Sequence, residues 1–223
     1  MNLKNTFYKN IPRSFEESGY NEDKISFITS HIGTGLRILD IGCNDGYIGA
    51  MLLARGNDVY GVDITKHKVN RAIKRGIKAM VFDIESKPLP YENNFFDVVL
   101  LTDVIEHMFD TDQIFINIRK TLKKGGLLLV TTPNVASFAR RIMLLFGFNP
   151  HLEYSSRYMD FLPGSIGHIR YYTHGNLQAQ LHKCGFRQIR TYGDILNFQF
   201  FSSKIAAKIF PTFSVDILCT CTK

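Results

Sequence analysis

Residues Asp40-Ile-Gly42-Cys-Asn44-Asp-Gly46-Tyr-Ile-Gly49 set an acid ahead of three glycines and an asparagine. An apolar run precedes them and a helical run follows, so the stretch reads as the turn between a strand and its helix. Such a turn brings backbone N–H groups and a helix N-terminus to the carboxyl edge of a sheet, where α/β proteins bind ligands. Gly42 admits close backbone approach, and Asn44 is the non-glycine type most tolerant of a left-handed conformation. A turn that is merely rich in Gly, Asn and Asp is the plain alternative. A dinucleotide site would need G-x-G-x-x-G; counted from Gly42, that pattern meets Asn44 and Tyr47 and fails twice. Acidic-x-G-x-G-x-G is met by Asp40, Gly42 and Gly46, with Asn44 the single departure. Two further acids, Asp63 and Asp83, end apolar runs downstream. Each can cap the helix that follows or face a ligand; three in register with the turn favour a shared site.

The elements that must hold these residues follow from apolar periodicity. Asn21 can cap a helix with Ile25, Ile28 and Ile32 on one face. Then LRILDIG (36–42), VYGVD (59–63), KAMVFD (78–83), FFDVVLL (95–101) and LLLVTT (127–132) read as strands. Helical runs lie between most of them, including residues 110–124 with Ile114, Ile118 and Leu122 on one side. Near-continuous apolar strands alternating with helices mean βαβ units, a parallel sheet covered on both faces. After Pro133 the rhythm breaks. Residues 135–147 can form a helix; 148–172 are irregular; Thr173 can cap a helix with Leu177 and Leu181. FRQIRTY (186–192) and VDILCTC (215–221) are two more strands, with 196–213 apolar and partly helical between them. The chain reads as one domain with an insertion at about 134–172.

In these residues the chain resembles the class I S-adenosylmethionine-dependent methyltransferases, particularly the small group that includes ubiquinone-type O-methyltransferases. The likeness covers about residues 30 to 132 and returns after 173. It implies a doubly wound α/β fold, a mostly parallel seven-stranded sheet of order 3-2-1-4-5-7-6 with the last strand antiparallel. It also implies S-adenosylmethionine as cofactor and S-adenosylhomocysteine as product. By that likeness Asp40, Gly42, Asn44 and Gly46 hold the methionine part. Asp63, with Ile64 beside it, takes both ribose hydroxyls, as suits a carboxylate with two acceptor oxygens. Asp83 faces the adenine amino group, Ile84 offers its N–H, and FFDVVLLTDVIEHM closes the pocket around Thr102 and Asp103.

Methyl transfer from a sulfonium is an in-line displacement, so positioning supplies much of the rate and a base is needed only for a protonated acceptor. His107 is the first candidate base and His168 the second. Arg170 and Tyr172 are read as acceptor contacts, with bracing and core packing as their plain alternatives. Asp103, Glu106 and His107 resemble an acidic-x-x-Glu-His cluster that holds a divalent ion in some ubiquinone-type enzymes, but Asp stands where those carry Glu, and no metal enters the reading. The function expected is methyl transfer to a small-molecule acceptor at oxygen: a quinone precursor, a lipid or a sugar intermediate. The rivals are a nicotinamide-dependent oxidoreductase and a non-catalytic cofactor-binding scaffold.

Composition sets the outer bounds. The chain has 223 residues, 45% hydrophobic and 21% charged, which excludes disordered, collagen-like and coiled-coil classes. Its charge of +7 suits an anionic partner. No basic stripe with interleaved aromatics appears, nor an Asn/Asp-Pro-Pro-Tyr run after the fourth strand, so nucleic acid is set aside. The basic and apolar residues of 135–147 fit a helix lying on anionic lipid, although a helix buried against the sheet is preferred. Four cysteines without CxxC pairs, no membrane-length apolar run and no leader at the start point to the cytoplasm. A monomer or a homodimer is expected.

Overall fold

The strand β4 (Phe96–Thr102) shows why the apolar runs are continuous. Its Val99 and Leu101 join one core cluster with Leu39, Phe115 and Leu128. Its Val98 and Leu100 join the other, with Ile28, Ile38, Leu52 and Leu129. Successive side chains point to opposite faces, and both faces are covered. Each such fully buried aliphatic side chain contributes roughly 1.5–3 kcal/mol.

The computed structural model describes residues 21–150, 167–198 and 201–223. In chain order these form α1 (Glu22–His31), β1 (Arg37–Ile41), α2 (Tyr47–Ala54), β2 (Asp58–Asp63), α3 (Lys66–Lys74), β3 (Lys78–Val81), β4, α4 (Thr111–Thr121), β5 (Leu122–Pro133), α5 (Phe138–Leu145), α6 (His174–Lys183), β6 (Arg187–Gly193), β7 (Leu196–Phe198), β8 (Phe201–Ser203), α7 (Lys204–Ile209) and β9 (Asp216–Thr222). Short 3-10 turns span Ile105–His107 and Pro211–Phe213. The main sheet runs β3-β2-β1-β4-β5-β9-β6, with β9 antiparallel to β5 and β6. Counting only its seven strands, this is 3-2-1-4-5-7-6, the Rossmann-like order expected. Local chemistry sets the helix starts. Asn21 Oδ1 accepts from the N–H of Asp23 and Lys24. Thr173 and Asn176 cap α6 reciprocally.

Four expectations are corrected. β3 ends at Val81, leaving Asp83 in the following loop. α4 stops at Thr121, because the Phe95 N–H bonds the Thr121 carbonyl and Leu122, wholly buried, pairs with Phe96. Register then shifts before Leu127, and Gly125 at φ +72° takes up the irregularity. Residues 196–213 hold a hairpin, β7–β8, ahead of the short helix. The preferred burial of the 135–147 helix fails: no residue of α5 is buried. It meets the rest of the chain through Phe138, which packs edge-on to Phe213, and through Arg140 and Arg141. Its far end points outward. The irregular segment 151–166, read as part of the insertion, lies outside the described residues.

Candidate active site

The glycine turn is built by three left-handed residues in a row of five: Gly42 at φ +73°, Asn44 at +51° and Gly46 at +80°. The chain's own packing demands glycine at two of them. A Cβ on Gly42 would lie 2.3 Å from Val104 Cγ2, and one on Gly46 2.8 Å from the backbone of Ala72. The N–H groups of Gly42 and Cys43 both bond the Val62 carbonyl, seating the turn on the end of β2. Asp45 is buried and paired with Arg75 at 2.8 Å, tying the turn to α3.

Asp63, at the end of β2, reaches the same turn. Its Oδ2 accepts from the Asn44 N–H at 3.0 Å and its Oδ1 from the Thr65 N–H at 2.8 Å. It therefore braces both the turn and the short link into α3, and each oxygen keeps a second acceptor position. Asp40 lies beneath, 2% exposed, with Oδ1 lacking a hydrogen-bond partner among the described residues. Burial, helped by the nearby Asp63 carboxylate, pushes Asp40 up to about 7. A buried, unmatched carboxyl beneath the turn is suited to a ligand with a positive group. Asp83 Oδ1 accepts from the Glu85 N–H, and Ile84 packs on the core beside it. Ile64 sits partly exposed between Asp63 and Thr65, and Thr102 closes β4 opposite Thr131.

The other half of the site stands at the ends of β4 and β5. His107 Nδ1 faces the Gly167 carbonyl at 3.1 Å, which assigns the proton to Nδ1 and leaves Nε2 as the basic nitrogen of the neutral ring. Its ring meets that of His168 with centroids 4.8 Å apart. Burial holds His107 below its usual value, and burial with the neighbouring His107 brings His168 down to about 4. Glu106 is wholly buried. Its Oε2 accepts from Thr132 Oγ1 at 3.0 Å, and its Oε1 lies 3.8 Å from His168 Nε2. Burial and Asp103 raise its carboxyl well above the usual range.

Asp103 takes a different role from the one its spacing suggests. At φ +51°, it turns both carboxylate oxygens to the Lys24 ammonium, at 2.7 and 2.8 Å, and receives Thr131 Oγ1. Lys24 also pairs with Asp216 at 2.9 Å. Burial lowers the Lys24 ammonium, but the two carboxylates outweigh it and hold Lys24 above its usual value. Glu106, His107 and His168 remain as a group whose ligand atoms all lie within 4.8 Å, one carboxylate and two imidazoles. Such donors suit zinc or iron better than magnesium.

Two acceptor assignments change. Arg170 donates from Nε to the Met108 carbonyl at 3.3 Å and from its terminal nitrogen to the Phe109 carbonyl, so it braces the loop after the 3-10 turn. Tyr172 is 6% exposed within the main core and forms a bridge to Asn134. Buried aromatic surface is the reason it faces inward. Lys24, Asp216 and Thr132 went unrecognised as site neighbours. Thr132 and Asp216 carried only polarity near a strand end, and Lys24 only the look of an ordinary helix lysine.

The chain matches the family described as a methyltransferase domain over residues 13–191. It is 31% identical over 116 residues to a ubiquinone biosynthesis O-methyltransferase of Rickettsia canadensis, covering 49% of each chain. It is 28% identical over 169 residues to one of Azorhizobium caulinodans, covering 73% of this chain and 63% of the other. The chain thus spans about half the length of the first of these relatives. In structure it resembles a Thermotoga maritima protein described as an S-adenosylmethionine-dependent methyltransferase, possibly a histamine N-methyltransferase. That match has a TM-score of 0.67 and 18% identity, covering 91% of this chain and 88% of that one. It also resembles the Haemonchus contortus phosphoethanolamine N-methyltransferase 2 solved with S-adenosyl-L-methionine, with a TM-score of 0.63 and 19% identity, covering 92% of this chain and 53% of that one. At such identities the two structures speak for the fold alone. With the family match running through both halves of the site, the chain belongs to the class I S-adenosylmethionine-dependent methyltransferases.

Proposed function

We propose that the chain transfers a methyl group from S-adenosylmethionine to a hydroxyl of a small, largely apolar acceptor. The observation that carries this is the buried, unpartnered oxygen of Asp40 beneath a turn of three left-handed residues to which Asp63 is bonded. Those residues fit a cationic nucleoside ligand. Asp40 offers a carboxylate to its ammonium, the glycines of the turn allow close approach, Asp63 accepts from the ribose hydroxyls, and Asp83 with Ile84 faces the adenine. Bound there, S-adenosylmethionine supplies an electrophilic methyl on a sulfonium. His107 Nε2 takes the proton from the acceptor hydroxyl as it attacks, and His168 stands beside it. For the acceptor, an open groove of about 580 Å³ is lined by Val135, Ala136, Leu144, Phe148 and Pro150, with Arg140 and Arg141 at its side. That lining favours a quinone precursor or another lipid over a sugar.

A titration decides between this and an oxidoreductase. The protein should bind S-adenosylmethionine and ignore NADH; the reverse result would sink the reading. Asp63→Ala should lower cofactor affinity at least tenfold, because two charge-assisted hydrogen bonds are worth about 1.5–3 kcal/mol each before water compensates. Unchanged affinity in isothermal titration would remove Asp63 from the site.

Asp40 adds a pH signature. An acid raised to about 7 in the folded protein holds a proton that the unfolded chain has already released, so its contribution to stability falls as pH rises from about 4 to 7. A bound cation reverses the preference and expels that proton. Cofactor affinity should therefore rise up to tenfold per pH unit below pH 7 and level off above it. Calorimetry at pH 6 in buffers of different ionisation enthalpy should show proton release in the wild type and none in Asp40→Asn. No release in the wild type would detach Asp40 from the cofactor.

A further inference from the structure

α5 and α7 are short helices that, with the residues just after them, turn large apolar side chains to solvent. Leu144, Leu145, Phe146, Phe148, Ile205, Ile209 and Phe210 are each between 54% and 75% exposed. The two helices belong to one surface, because the Pro211–Phe213 turn lies between them. Phe138 of α5 packs on Phe213 at 5.8 Å, the Arg141 guanidinium lies 4.6 Å over the same ring, and Phe210 after α7 meets it at 6.2 Å. Single exposed leucines are ordinary; this many large residues on two adjoining helices mark a contact surface.

Charge says what kind. Residues 134–150 and 196–213 contain four basic side chains, Arg140, Arg141, Lys204 and Lys208, and no Asp or Glu. Lys204 meets Asp23 of α1. Arg141 bonds the carbonyls of Ala136 and Thr212, which leave its charge intact, and neither it nor Lys208 meets a carboxylate among the described residues. No described helix is long and apolar enough to cross a membrane. Apolar side chains at the centre, with cations and no acid on either segment and only Asp23 of α1 meeting Lys204 at the edge, form the pattern of a helix pair lying in an anionic interface. We propose that α5 and α7 together form a docking surface for an anionic lipid bilayer. The surface adjoins the apolar groove, which Leu144 and Phe148 also line.

Vesicle co-sedimentation tests this without cofactor or acceptor, so its outcome is independent of the proposed reaction. The full chain should pellet with vesicles of equal parts phosphatidylcholine and phosphatidylglycerol, stay in solution with phosphatidylcholine alone, and be released as salt rises. Leu145→Glu and Ile209→Glu should each weaken binding more than tenfold, and Lys208→Glu should lower the salt needed for release. Thermal melting should match the wild type in all three, since none of these side chains is buried. Equal binding to both vesicle types, or unaltered binding in the glutamate variants, would overturn the proposal. So would a dimer, seen by sedimentation equilibrium, that the glutamate variants dissociate while the wild type ignores vesicles; a second copy would then be the occupant.

Discussion

Turnover in His107→Ala should fall about 10²–10⁴-fold, the usual range for lost acid–base catalysis. Its proton-accepting atom is Nε2, since Nδ1 is committed to the Gly167 carbonyl. Burial disfavours the imidazolium, so the inflection belongs below the unperturbed value of about 6.5. The sign follows from the need for a neutral ring: the rate should climb as pH rises through that lowered value and stay flat above it. In His107→Ala this dependence should vanish, while cofactor affinity, which the proposed site assigns to Asp40, Asp63 and Asp83, should barely change. His168→Ala measured under the same conditions separates the two rings. His168 is held at about 4, too weak a base to replace His107 near neutrality, so its loss should cost less. An ion held by Glu106 and the two histidines predicts otherwise: a chelator would abolish wild-type activity and one added metal would restore it. Full activity in His107→Ala with no chelator effect would strike His107 from the mechanism.

Gly42→Ala should cost both stability and binding. A side chain at φ +73° is strained by about 1–2 kcal/mol, and its Cβ would press on Val104 at 2.3 Å, an overpacking of about 1–3 kcal/mol. Against a domain stability of about 5–15 kcal/mol the chain should still fold, with a lowered melting temperature. Cofactor affinity should fall at least about a hundredfold, equivalent to about 2.7 kcal/mol, because the turn must move. The double variant Gly42→Ala with Val104→Ala tells the two causes apart. If melting recovers and binding does not, the space over Gly42 serves the cofactor. If isothermal titration finds binding restored along with stability, that glycine answers only to Val104.

The parallel core and the turn were legible because both are local. Runs such as ILDI and VVLL carry no polar residue to face water on either side except the site's own Asp40, and a strand–glycine–helix junction has few solutions. The cap at Thr173 was readable for the same reason. What escaped were contacts between distant parts of the chain. Lys24 looks like any helix lysine until α1 packs over the ends of β4 and β9 and sets it between Asp103 and Asp216. Glu106 stood out by its spacing from His107, but its contacts with Thr132 and His168 did not. The apolar residues of α5 suggested burial, yet an amphipathic period reads alike for a helix facing a core and one facing another surface. Leu122 was assigned to a helix because local propensity carried no trace of its pairing with Phe96.

The sheet gives the molecule an electrical direction. Arg37, Lys78, Lys123, Arg187 and Lys223 stand where strands β1, β3, β5 and β6 begin and β9 ends, against Asp58 and Asp97, which pair with Lys78 and Lys123. Asp40, Asp63, Asp103, Asp194 and Asp216 cluster at the opposite ends, with Lys24 set between Asp103 and Asp216, in a chain whose total is +7. A cationic ligand diffusing toward this protein is therefore repelled on average and attracted locally. The acid-lined rim acts as a funnel within about one Debye length, roughly 8–10 Å at physiological salt. Once the sulfonium charge is lost, the leaving thioether feels that pull less than the arriving cofactor did. With the cofactor seated as proposed, the same row of acids would also bias the exchange of spent for fresh cofactor.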